Sequence, residues 1–137
     1  MRRVFLAAPV IALLVSGCGA AADNQESKFP EGDRAQVAKV VDTLSTAGAA
    51  RDAKKICDTV LAKQLVNELK AAGGNCVTEM DRAIKDASDY DLQVTKVAVN
   101  GNNATATVQQ GEDKQNTASF SFVKEKGGWR ASALGGA

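Results

Sequence analysis

The chain contains no histidine, and this absence excludes more chemistry than any motif supplies. Ser-His-Asp and Cys-His nucleophilic catalysis, as usually built, depend on an imidazole base. The common imidazole roles in proton transfer and metal ligation go with it. Aromatic residues are scarce, at 4%, which argues against platforms that stack bases or sugars. Charge is almost balanced, with 17 basic and 16 acidic residues, so no basic excess draws in nucleic acid. No internal repeat is visible, and no apolar run reaches the about 20 residues that a membrane span needs. The core has to be built mainly from Val, Leu, Ile and Ala. No cofactor and no metal ligand set is expected, and no catalytic residue can be assigned. Carboxylates, lysines and Tyr90 are what remains for acid–base work.

The N-terminus carries the clearest message. Arg2 and Arg3 precede an apolar run from Val4 to Val15, interrupted only by Pro9, and Ser16 and Gly17 lead into Cys18. A positive start, a short apolar stretch and small residues before the break make an export signal. Val15-Ser16-Gly17-Cys18 resembles the lipobox of bacterial lipoproteins. That resemblance implies a diacylglyceryl group on the Cys18 thiol, cleavage before Cys18 and often an acyl chain on the new amine. Two or three chains anchor stably where one does not, since each buried methylene contributes about 0.8 kcal/mol. The expected organisation is a signal peptide over 1–17, a lipidated flexible tether over 18–32 and one α+β domain over 33–137. Loss of the two arginines leaves the remainder close to neutral, and about 120 residues suffice for one domain.

The first half of the domain reads as helical. Asp33 is the expected N-cap of a helix carrying Val37, Val40, Val41 and Leu44 on one stripe, fading at Thr46-Ala47-Gly48. Asp52 gives a second start, leading Ala53, Ile56, Cys57, Val60 and Leu61. The phase then shifts to Leu61, Leu65, Val66 and Leu69, and Gly73-Gly74 ends the run. Two short helices or one long bent helix fit this segment. Thr78 with Asp81 gives a near capping box for a further helix carrying Val77, Met80, Ile84 and Ala87.

From Asp91 the pattern turns to strands. Leu92 to Val99 is rich in β-branched residues, and Asn100-Gly101 predicts a tight hairpin. Ala104, Ala106 and Val108 alternate with Thr105, Thr107 and Gln109. Phe120 and Phe122 share one face of the next strand, and Gly127-Gly128 turns into Trp129 to Leu134. Leu92 and Val94 are out of phase with Val97 and Val99, which predicts a bulge or bend near Thr95-Lys96. The expected fold is α+β, with N-terminal helices on one face of a curved, four-stranded antiparallel sheet.

The helix–Cys57–helix–Cys76–helix block and the closing strands, ending Lys126-Gly127-Gly128-Trp129-Arg130, resemble the NTF2-like lipoproteins of bacterial envelopes. These belong to the cone-shaped family that includes ketosteroid isomerase and polyketide cyclases. The resemblance spans residues 33–134. It implies a helix-covered cone, although the β-hairpin that longer members insert among the helices is missing here. A cystatin-like helix-on-sheet arrangement is the alternative.

Four sets of residues stand out. Cys57 and Cys76 are the cysteines besides Cys18, and an exported pair is normally oxidised. In the chain-entropy model a loop of this size contributes about 3 kcal/mol. Two thiolates without histidine ligate zinc poorly, and redox pairs usually have C-x-x-C spacing. Separate free thiols remain the other reading. Phe120, Phe122 and Trp129 are candidates to line a ligand pocket, with Trp129 as a core plug the plainer expectation. Trp129 and Arg130 alternate in direction and so do not share a site. Tyr90 lies among Asp86, Asp89 and Asp91, where residues at a helix-to-strand junction are expected to sit at the surface.

These observations point to a non-catalytic domain, lipid-anchored on the outer side of the cell membrane, whose leading role is accessory or protein-binding in the cell envelope. A cone that takes a small apolar ligand or lipid is the alternative, and an isomerase- or cyclase-type enzyme comes third. Cys18→Ala is expected to move the protein from the membrane fraction to the soluble fraction. Unchanged fractionation would remove the anchor.

Overall fold

In the computed structural model, which describes residues 32–86, 90–112 and 115–135, four helices precede an antiparallel sheet of four strands. The helices are α1 (Asp33–Ala49), α2 (Ala53–Lys55), α3 (Lys63–Ala71) and α4 (Cys76–Asp86), and α2 runs straight into a π turn at Ile56–Val60. The strands are β1 (Leu92–Asn100), β2 (Asn103–Gln110), β3 (Thr117–Glu125) and β4 (Gly128–Leu134), paired in chain order. The signal segment, Cys18 and the tether with Phe29 lie outside the described residues, as do Ala87 and Asp89.

Helix α1 buries Val37 and Val41 completely. Full burial of such a side chain stabilises by about 1.5–3 kcal/mol. The N-cap is Gly32 and not Asp33, which is the first helical residue. At the other end α1 continues through Gly48 to Ala49 and does not stop at Thr46-Ala47-Gly48. Arg51 takes the left-handed conformation, φ 56°, while its N–H donates to the Gly48 carbonyl and that of Asp52 to the Ala47 carbonyl. This is a Schellman closure with arginine where glycine is usual.

Asp52 then caps α2, its side chain accepting from the Lys55 N–H at 2.9 Å. The wide turn closes through Leu61 N–H donating to the Ile56 carbonyl, five residues back. Leu61 and Ala62 are buried. The Ala62 N–H donates to the Ala131 carbonyl at 2.8 Å, so this break between helices covers part of the β4 edge. Of the two readings left open, two short helical pieces are what forms. Helix α3 ends as Gly73-Gly74 predicts, with Gly73 at φ 82°. Helix α4 starts two residues before Thr78, because Asn75 Oδ1 accepts from the Val77 N–H at 3.0 Å and the Thr78 N–H at 3.4 Å. Val77 is consequently turned out, 40% exposed, while Cys76 and Ile84 are buried.

The bulge falls where the phase change puts it. Val94 pairs with Val108 and Lys96 with Thr107, leaving Thr95 unpaired between them. The extra residue restores phase, so Val94 and Val97 face the same side. In the first hairpin Asn100 pairs with Asn103, so Gly101-Asn102 forms the turn and not Asn100-Gly101. Gly101, at φ 60°, takes the first central position that a II′ turn requires. A second register shift lies between Ser121 and Phe122 on β3.

One face of the sheet is apolar, carrying Val97, Ala106, Val108, Phe120, Phe122 and Ala131 into a single core with α1, the π turn and α4. The other carries Thr105, Thr107, Ser119 and Ser121. Trp129 closes one end of the core at 3% exposure, its indole N–H donating to Asp33 Oδ1 at 3.0 Å. Lys124 Nζ donates to the same oxygen at 2.8 Å and stands 5.7 Å from the Trp129 ring centroid. Asp33 thus ties the start of α1 to β3 and β4.

The Lys124 hydrogen bond first, and then the Trp129 hydrogen bond, hold the Asp33 carboxyl below its ordinary value of 3.8. A carboxylate whose folded pKa is depressed stabilises the fold above its unfolded value and loses that contribution as pH falls through the folded one. Denaturation midpoints measured across acid pH are expected to fall less steeply below pH 3.8 in Asp33→Asn than in the wild type. Parallel pH profiles would show that the clasp contributes nothing.

Candidate functional site

At the end of the core away from Trp129, the helices and the sheet do not meet. A recess of about 320 Å³ opens there between α1, the π turn, α4 and the sheet. Leu44, Ile56, Ile84, Leu92, Phe120 and Leu134 form its apolar wall, and exposed Ala83 and Gly135 lie on its rim. The described residues that line it carry no charge, and its polar side chains are those of Tyr90 and Gln110.

Tyr90 is held in place from both directions. Ser45 Oγ, on α1, donates to the Tyr90 carbonyl. The next carbonyl, that of Asp91, accepts from the Gly111 N–H at 2.8 Å. Its ring rests on Gly48, where a built Cβ would stand 2.6 Å from Tyr90 Cδ1. Real carbon atoms do not approach that closely, so the ring occupies the space a side chain would need. Glycine at position 48 is therefore a packing requirement of α1 and not a helix stop. The phenol oxygen is buried and has no hydrogen-bond partner among the described residues. Native proteins satisfy nearly all buried polar atoms, which sets this one apart.

The expected candidates are distributed unevenly about this recess. Phe120 lines it. Phe122 borders a different depression of about 280 Å³, together with Asn100, Asn103 and Thr105. Trp129 is buried at the other end of the sheet against Asp33, so the three aromatics do not form one pocket. Asp86 and Asp91 are exposed, while Tyr90, placed with them at the surface by sequence, turns inward. The Cys57 and Cys76 sulfurs are bonded at 2.07 Å with Cα atoms 6.1 Å apart, fastening the π turn to the start of α4. The recess is framed by these two elements, so the crosslink holds one side of it. Among the described residues no group of three His, Cys, Asp or Glu side chains could hold a metal. No described helix is long and apolar enough to cross a membrane.

A third depression, about 310 Å³, lies along α3 and mixes Lys63, Lys70 and Arg130 with Asp58 and Glu125. Much of its polar surface is internally engaged. Glu125 Oε1 accepts from the Lys63 N–H at 2.8 Å, and Arg130 Nη1 donates to the Asp58 carbonyl at 3.0 Å. No protein-family model, curated protein or solved structure matches the chain.

Chemically, the recess offers an uncharged and mainly apolar wall. Gly48→Ala tests its construction through the sign of the effect. A glycine-to-alanine change inside a helix normally stabilises by about 1 kcal/mol. Here it is expected to destabilise by about 1–3 kcal/mol, as overpacking does, when measured by urea denaturation. A stabilised protein would mean that Tyr90 does not lie on Gly48.

Proposed function

We propose that this chain is a lipid-anchored, extracytoplasmic binding domain, of NTF2-like or cystatin-like build, that takes a small apolar molecule into the recess beside Tyr90. In this reading residues 1–17 direct export, Cys18 carries the anchor, 18–32 form the tether and 33–137 the domain. The observation that carries the proposal is a hollow, uncharged, apolar space at one end of an otherwise filled core. Its volume lies at the lower end of the range for small-molecule sites, about 300–1,000 Å³. The helices placed on one face of a four-stranded meander support the NTF2-like or cystatin-like comparison, and the lipobox-like Cys18 supports the anchor. Sequence alone ranks a protein-binding accessory role first, and the recess moves the ligand reading ahead of it.

An uncharged fluorescent probe, N-phenyl-1-naphthylamine, tests the space directly. Its emission is expected to rise saturably with the native protein. The rise should be abolished in Ala83→Trp, where a large side chain at the exposed rim fills the opening. Failure to bind, or equal binding by both proteins, would return the accessory protein-binding role to first place.

A further inference from the structure

Strand alternation brings one uncharged polar side chain to the recess where an occupant can reach it. β2 pairs with β3 without a register shift and turns Ala104, Ala106 and Val108 into the core. Gln110 is next in that phase and so faces the same side of the sheet. There it lines the recess beside Leu92, its partner across the ladder. Its backbone is fixed by that pairing and by its N–H, which donates to the Asn116 carbonyl at 2.9 Å. The Gln110 side-chain amide has no hydrogen-bond partner among the described residues. It is also open to contact: the residue is half-buried, and the buried side-chain polar atom left unpartnered among the described residues is the Tyr90 hydroxyl alone. Solvent satisfies such an amide until something displaces it. An occupant that covers it with carbon forfeits those bonds, whereas one with matching polar atoms replaces them.

We infer that Gln110 is the specificity-determining contact of the recess, selecting a molecule whose apolar body carries one uncharged head that both donates and accepts hydrogen bonds, a carboxamide or an alcohol. This rests on the ligand-binding reading above and narrows it. A glutamine amide presents an accepting oxygen and a donating nitrogen side by side, so a head with both functions satisfies it fully. Sites with such a group reject analogues that lack the matching polar atom more strongly than they distinguish hydrocarbon size. An anionic head is disfavoured at this end, because exposed Asp91 and Glu112 stand within two residues of the paired Leu92 and Gln110. A cationic head finds no carboxylate among the described lining residues. The recess volume limits the body to the size of one or two rings or a short acyl chain.

The test uses a matched pair of probes, 2-naphthamide and 2-isopropenylnaphthalene, which share a shape and differ by an amide in place of an alkene. Both are titrated into the full chain and into Gln110→Leu by displacement of N-phenyl-1-naphthylamine. Gln110→Leu is expected to weaken the amide roughly tenfold, the size of a pair of neutral hydrogen bonds, and to leave the hydrocarbon within about twofold or tighter. Equal changes for both probes, or binding of the hydrocarbon alone, would overturn the inference while leaving the ligand reading standing. Binding of neither probe to either protein would overturn both. The side-chain amide protons of Gln110, assigned in the nitrogen-correlated spectrum by their loss in Gln110→Leu, report on the contact in the unsubstituted chain. They are expected to shift further with the amide than with the hydrocarbon, and identical shifts would overturn the assignment.

Discussion

The Tyr90 ring lies in the space that any side chain at position 48 would need, and the hollow end of the domain depends on that contact. α1 crosses the sheet from Asp33, beside Trp129, to Gly48, beside Tyr90. At the first end a large indole fills the gap between helix and sheet. At the second, the missing side chain lets the Tyr90 ring rest against the helix beside the recess. With alanine or anything larger there, the ring could not keep its present place.

The two ends also differ in how their polar atoms are satisfied. At the closed end the indole N–H and the Lys124 ammonium converge on one Asp33 oxygen, so each buried or half-buried group there has its partner. At the open end the phenol oxygen has none among the described residues. A domain of this size, with a core of small aliphatic side chains, tolerates few such departures, because buried unpaired groups weaken an already marginal balance. The disulfide between the π turn and α4 limits how far the walls of the recess can collapse to relieve it. A preformed, uncharged apolar space is the arrangement that small-molecule sites generally use.

Much of the fold was legible because its signals are local. The stripe of Val37, Val41 and Leu44, the Asp52 cap, the Gly73-Gly74 stop and the phase slip at Thr95 all act within a few residues, and each forms as read. Capping was less legible where two candidates stood close together. Asn75 displaced Thr78 as the cap of α4, and Gly32 displaced Asp33, whose carboxylate serves partners 91 and 96 residues away. The recess was legible only in pieces. Phe120 was named, but Phe122 and Trp129 go elsewhere, because strand register and the second β-bulge decide which residues meet. Gly48 read as a helix stop and Tyr90 as a surface residue. Their contact joins the end of α1 to the entry of β1, and no local pattern encodes a pairing across 42 residues. The useful signal was a glycine standing four residues after Leu44 on the buried stripe, where alanine would have served a helix better.

Native mass spectrometry of the full chain, extracted gently from the membrane it is proposed to occupy, tests the central claim most directly. The account predicts a retained, uncharged small molecule in addition to any lipid on Cys18, released when the domain is unfolded. A domain that carries no such molecule and co-elutes instead with another polypeptide would contradict it.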